Sequence, residues 1–177
     1  MSIQYNETFW YFDPELEPFS HPHWKNFPPT SPLYHYLVGI FIAVIGIFGL
    51  LGNMLVIYVF LSTKSLRTPT NMLIINLAVS DMSFAAINGF PLKTIASFNM
   101  RWGWGKLACE LYGFAGGVLG FNSIFSLAFI SVDRFFVIAQ PFQTLKTLTY
   151  ARAIGMIIAS WLWSLMLSVP PFFGFGN

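Results

Sequence analysis

The chain has 177 residues, of which 55% are hydrophobic and only 9% charged, with a mean hydropathy of +0.62. A soluble domain carries roughly a quarter charged residues, so a disordered chain, a collagen, a disulfide scaffold and an ordinary cytosolic enzyme are all excluded. Nine basic against seven acidic residues are too balanced for a nucleic-acid binder, and 20 Phe with 6 Trp suit a membrane protein or a ligand cavity.

Residues 1–32 read as an N-terminal segment, acidic and aromatic, with Glu7, Asp13, Glu15 and Glu17 among Trp10, Tyr11 and Phe12. They hold no apolar run of the kind a cleavable signal needs, so the first span must itself direct insertion. A hydrocarbon core of about 30 Å needs about 20 helical residues. On that measure the charge-poor stretches predict four transmembrane helices, at about 33–61, 71–98, 107–139 and 152–173. Pro91 lies near the far end of span two. Pro170-Pro171 should terminate or kink span four, because proline lacks an amide donor and clashes with the preceding turn. The expected fold is an all-α membrane protein.

Charge alone barely orients the bundle. With the N-terminus outside, the inner side carries Lys64, Arg67, Arg134, Lys146 and Arg152, and the outer side Lys25, Lys93, Arg101 and Lys106. Five against four is a thin margin for a rule based on Lys/Arg excess. Asn6-Glu7-Thr8 is a glycosylation sequon, which favours an outside N-terminus.

Polar residues inside a span cost about 2.5–3.5 kcal/mol on insertion scales and so mark candidate sites. Asp81 in span two and Asn53 in span one fall at comparable depth from the same side, and a hydrogen bond between them would lower the cost of both. Such a pair reads either as helix-packing glue or as a switch site. Asp133-Arg134 closes span three, either as an interfacial charge pair with a snorkelling arginine or as a functional switch.

Gly113, Gly116, Gly117 and Gly120 follow the i, i+3, i+4, i+7 pattern of one helix face. Each costs about 1 kcal/mol of helix propensity relative to Ala, so close approach should compensate there. One reading is small-residue helix packing. The other is a groove between spans two and three, walled by Phe114 and Phe121 and topped by Tyr112 and Asn88, that takes a flat apolar ligand with one polar end. Cys109 is the sole cysteine, and a lone thiol in an outside compartment suggests a partner beyond this sequence or an inert residue. His21, His23 and His35 lack metal-ligand spacing, no phosphate loop or nucleophile–base set is present, and no enzyme is expected.

Gly52-Asn53, Leu77-Ala78-Val79-Ser80-Asp81, Cys109, Asp133-Arg134-Phe135 and Trp161 occur in order, one signature after another. Together they resemble the first four helices of the seven-helix bundle of a rhodopsin-like G-protein-coupled receptor. KSLRTPTNMLIINLAVSD and CELYGFAGGVLGFNSI look most like the rhabdomeric opsins, with cephalopod-type rhodopsins and melanopsins nearest. The resemblance implies a multi-pass protein of the cell membrane with its N-terminus outside, a retinal chromophore bound as a Schiff base, and coupling to a Gq-type heterotrimeric G protein. It admits arrestin as a further partner.

It also implies residue roles. Asn88 and Tyr112 would lie near the Schiff base, with Gly113, Gly117 and Phe121 along the polyene. Cys109 would form the family's disulfide to the second extracellular loop. Asp133, Arg134, Phe135 and the loop through Pro141 would face the G protein. Amine receptors carry an Asp where Gly116 stands, so a cationic amine would find no buried partner here.

Three departures from the pattern stand out: Phe135 replaces the usual Tyr, Gln140 a common basic residue, and Lys93 a usually apolar position. Opsins attach retinal to a lysine of a seventh helix, so this sequence is expected to be the N-terminal part of a longer receptor. A related receptor for a diffusible or peptide ligand, and a self-contained four-helix membrane protein, are the other readings. Tyr112 and Arg134 lie 22 positions apart on one helix, about 33 Å at 1.5 Å per residue, a length that suits transmission between two membrane faces.

Overall fold

The computed structural model describes residues 30–139 and 148–175, with positions 16, 18, 21 and 23. The described residues form helices and short turns, with no strand among them. Helix α1 spans Pro32–Ser62, α2 Pro69–Phe84, α3 Leu92–Phe98, α4 Gly105–Ala139 and α5 Tyr150–Ser168. Counting α2 and α3 as one span, four helices are long and apolar enough to cross a membrane.

Local chemistry sets the helix starts. Thr68 caps α2 by accepting the Asn71 amide at 3.3 Å, with Pro69 in the first turn, where a missing N–H costs nothing. Thr149 likewise accepts the Arg152 amide at 3.4 Å. These caps place both starts two residues earlier than the charge pattern suggested. At the other end of α5, Pro170 and Pro171 stop the α-helix as expected, and a 3₁₀ turn over Pro170–Phe173 runs to Gly174 at φ 81°.

Span two is not one helix. Ala85–Gly89 form a π-turn, closed by the Phe90 amide on the Ala85 carbonyl at 2.9 Å, before α3 begins at Leu92. Pro91 cannot donate to the turn before it, and the widened turn accommodates the break. It also rotates Asn88 into the bundle, where it is buried.

The packing is inside-out relative to a soluble protein. Phe41, Phe48, Leu55 and Tyr58 of α1 are exposed, whereas Asn76, Ser80, Asn122, Ser126, Ser160 and Ser164 are buried. In lipid, apolar surface costs nothing to expose and polar groups must find one another. They do so along a seam joining α2, α4 and α5. Trp161 Nε1 donates to Asn76 Oδ1 at 2.9 Å, Asn76 Nδ2 to Ser126 Oγ at 2.8 Å, and Asn122 Nδ2 to Ser80 Oγ. Helix α1 joins through its two buried residues. Gly39 abuts Ser97, and a Cβ at Gly46 would lie 2.9 Å from that of Phe90.

Candidate functional site

The glycine face of α4 divides between two neighbours. A Cβ at Gly116 would lie 2.7 Å from Asn88 Nδ2, so the π-turn amide already fills that place. A Cβ at Gly117 would lie 2.8 Å from Ser168 Oγ of α5. Beside Gly113 and Gly120, nothing stands within 4 Å of that position.

The expected groove between spans two and three is therefore corrected. At that contact Asn88 Nδ2 donates to the Tyr112 carbonyl at 2.8 Å, and Tyr112 Oη donates back to the Asn88 carbonyl at 2.7 Å. The two bonds form a closed clamp over Gly116. Open space lies instead between α4 and the end of α5, as a cavity of about 710 Å³ with Gly113, Gly117 and Phe121 on one wall and Leu167, Ser168 and Phe172 on the other. The rings of Phe114 and Phe172 meet edge to face at 5.3 Å and join the two walls. Cys109 and Glu110 stand at the mouth; the thiol is free and exposed, and the carboxylate lies 3.7 Å from Lys106 Nζ.

Of the five residues expected around a ligand, Gly113, Gly117 and Phe121 line the cavity, while Asn88 and Tyr112 form the clamp on the adjoining face of α4. Two buried atoms near this region lack a hydrogen-bond partner among the described residues, Asn88 Oδ1 and Ser168 Oγ. A buried polar atom without a partner is costly and needs an explanation. Sequence reasoning missed Ser168 and Trp102. Trp102 packs edge to face on Tyr112 at 5.1 Å and donates to the Gly105 carbonyl at 3.0 Å, bracing the clamp from the connecting turn.

At the opposite end of α4, Asp133 is buried and accepts a hydrogen bond from Thr70 Oγ1 at 2.9 Å, with Arg134 Nη2 at 3.5 Å. The carboxylate thus ties α4 to α2, while the Arg134 side chain is half exposed. Phe135 is exposed and meets Phe136 edge to face at 5.6 Å. Pro141, Gln140 and the sequon Asn6 lie outside the described residues. Lys93 is exposed on α3, where Thr94 and Ser97 are the buried residues.

The expected Asn53–Asp81 pair does not form, and this too is a correction. Asn53 Nδ2 donates to the Gly49 carbonyl of its own helix at 2.9 Å, and Asp81 Oδ1 accepts from Ser123 Oγ of α4 at 2.5 Å. Each side chain bonds a group already beside it, and the two do not bond each other. Ser123 and Thr70, the actual partners of the two intramembrane carboxylates, carried no distinguishing signal in a chain rich in hydroxyl residues.

Comparison with known proteins agrees with this architecture. The model of the 7 transmembrane receptor (rhodopsin family) matches residues 52–177. The chain is 54% identical to the rhodopsin of Enteroctopus dofleini over 97% of its own length and 37% of that protein's. It is 49% identical to the Gq-coupled rhodopsin of Mizuhopecten yessoensis, over 88% of this chain and 31% of that one. The crystal structure of squid rhodopsin superposes with a TM-score of 0.83 at 50% identity, covering 88% of this chain and 44% of that one. The chain thus spans about a third of the length of these curated relatives and corresponds to their N-terminal part. With its helices arranged as the first four of a seven-helix bundle, the chain belongs to the rhodopsin family of seven-transmembrane receptors.

Proposed function

We propose that the protein carrying this chain is a light-sensing receptor of the cell membrane, with its N-terminus outside, that binds retinal and activates a Gq-type G protein. The observation that carries this reading is the aromatic, glycine-lined cavity of about 710 Å³ beside the Asn88–Tyr112 clamp. Its volume falls within the roughly 300–1,000 Å³ of small-molecule pockets.

The residues present fit a flat polyene with one nitrogen end. Gly113, Gly117 and Phe121 would lie along the polyene. The side-chain oxygen Oδ1 of Asn88, held on the adjoining face of α4 by the clamp with Tyr112, has no partner among the described residues and would accept from a protonated nitrogen. Retinal supplies the light absorption; this chain supplies shape, an aromatic wall and one buried acceptor. Attachment and G-protein contact involve the whole protein. Cys109, exposed and lining the cavity, would pair with a cysteine of the second extracellular loop.

At the other end, Arg134, Phe135 and the loop through Pro141 would meet the G protein. Asp133 would hold the resting packing through Thr70, and arrestin would read the same face. The Gq-coupled relative supports the choice of G protein.

The test is to express the full-length protein, add retinal and record its spectrum and signalling. A visible absorption band and light-dependent release of inositol phosphates are expected. Absence of any visible band from folded protein would overturn the reading.

A further inference from the structure

A second apolar groove lies away from the cavity, over α2 between the end of α1 and the start of α5. Met72, Ile75, Asn76 and Val79 form its floor, at the i, i+3, i+4, i+7 positions of one face of α2. Ile157 and Trp161 of α5 form a wall, and the groove encloses about 510 Å³. The one polar floor residue is already engaged, because Asn76 bonds Trp161 and Ser126. What remains for an occupant is a hydrocarbon-lined trough.

One end of the trough is polar and basic. Arg67, Thr68 and Tyr150 line it there, and exposed Lys64 sits in the same turn as Arg67. The turn is held in place. Arg67 Nη2 donates to the Leu61 carbonyl at 2.5 Å, and Tyr150 Oη donates to the Arg67 carbonyl at 2.5 Å. A guanidinium has five N–H donors, so most of those of Arg67 are left for a ligand. Among the described residues, this end of the bundle carries Lys64, Arg67, Arg134 and Arg152 against the single carboxylate of Asp133, which is buried and bonded to Thr70.

We infer that this groove is a binding site for an anionic glycerophospholipid, with one acyl chain in the trough and the phosphate on Arg67 and Lys64. Charge complementarity selects this occupant. Arg67 and the Thr68 hydroxyl line the rim and Lys64 stands in the adjoining turn, which suits a phosphate with several acceptor oxygens. A sterol, with one hydroxyl, would leave both charges unanswered. The inference is independent of what fills the cavity at the other end of α4.

The test reconstitutes the full-length receptor in vesicles of equimolar phosphatidylserine and phosphatidylcholine, and counts the lipids retained by native mass spectrometry. Phosphatidylserine should be retained in preference. Arg67→Gln and Lys64→Gln should each lower that preference by about fivefold, the attraction of one basic residue to an anionic surface. The Arg67 backbone carbonyl that holds Tyr150 is unchanged in the first variant, and Lys64→Gln gives an independent reading in an exposed turn. Val79→Phe should reduce retention of both phospholipids by narrowing the trough. Arg152→Gln is the control, because Arg152 lines a different pocket with Val132 and Phe136, between α4 and α5; it should leave the preference unchanged. Equal retention of the two lipids, an equal effect of Arg152→Gln, or displacement of the phospholipid by cholesterol added to the vesicles would overturn the proposal.

Discussion

The two ends of α4 meet their neighbours in opposite ways. Toward Cys109 the helix omits side chains, and glycines leave a cavity against α5. Toward Asp133 it supplies a buried carboxylate that draws Thr70 of α2 into contact. One end keeps space open and the other closes it with a charge-assisted bond. A rigid helix joining a vacancy to a latch suits a protein in which filling one changes the other. Such coupling requires two packings that a ligand binds with different affinity.

The latch offers the largest effect. Asp133→Asn replaces a charge-assisted hydrogen bond, a class worth about 1.5–3 kcal/mol. If the bond favours the resting packing, light-independent G-protein turnover in the full-length receptor should rise by about tenfold, the equivalent of 1.4 kcal/mol. Unchanged basal turnover would reduce Asp133 to helix glue. Thr70→Val removes the partner and should move turnover in the same direction.

Substitutions at the open end should separate the glycines that the sequence groups together. Gly116→Val drives a side chain into Asn88 and should destabilise by about 1–3 kcal/mol, as overpacking does. Thermal melting in detergent checks it, with the Asn88–Tyr112 clamp failing first. Gly117→Ala meets Ser168 Oγ rather than the clamp. Combined with Ser168→Ala, it should show a coupling energy of at least about 0.5 kcal/mol in a double-mutant cycle. An additive result would place Ser168 elsewhere.

The smallest effects come from residues with nothing opposite them. Gly113→Ala has no atom within 4 Å of the new carbon and should stabilise by about 0.4–1 kcal/mol through helix propensity alone. A large loss there would mean that the cavity wall lies closer than described. Asp81→Asn should couple to Ser123→Ala and, within about 0.5 kcal/mol, not to Asn53→Ala. Equilibrium unfolding of the three single variants and the two double variants decides it.

Much of this was legible along the chain. The absence of charge over twenty or more residues marked spans one, three and four, and its scarcity marked span two, since the cost of burying a charge in lipid needs no knowledge of neighbours. The two prolines after Ser168 ended α5, one of the two outcomes expected of them. The glycine face was legible as a place of close approach, and Asp133 as a costly charge. Which neighbour each glycine would meet was not legible. Consecutive residues on a helix differ by about 100°, so Gly116 and Gly117 face different helices once α2 and α5 are in place.

The sequence by itself determined how many times the chain can cross a membrane, roughly where each span lies, and its kinship with the rhodopsins, because hydropathy and motifs are local properties. The tertiary structure decided which polar groups pair and where space is left. The π-turn at Ala85–Gly89 swings Asn88 over Gly116 and closes one side of α4, and the cavity opens on the other. Asp81 likewise bonds the Ser123 donor that packing brings nearest, while Asn53 turns back to Gly49 of its own helix. Hydrogen bonds act over about 3 Å, so partners are chosen by helix rotation and contact, which only the assembled bundle defines.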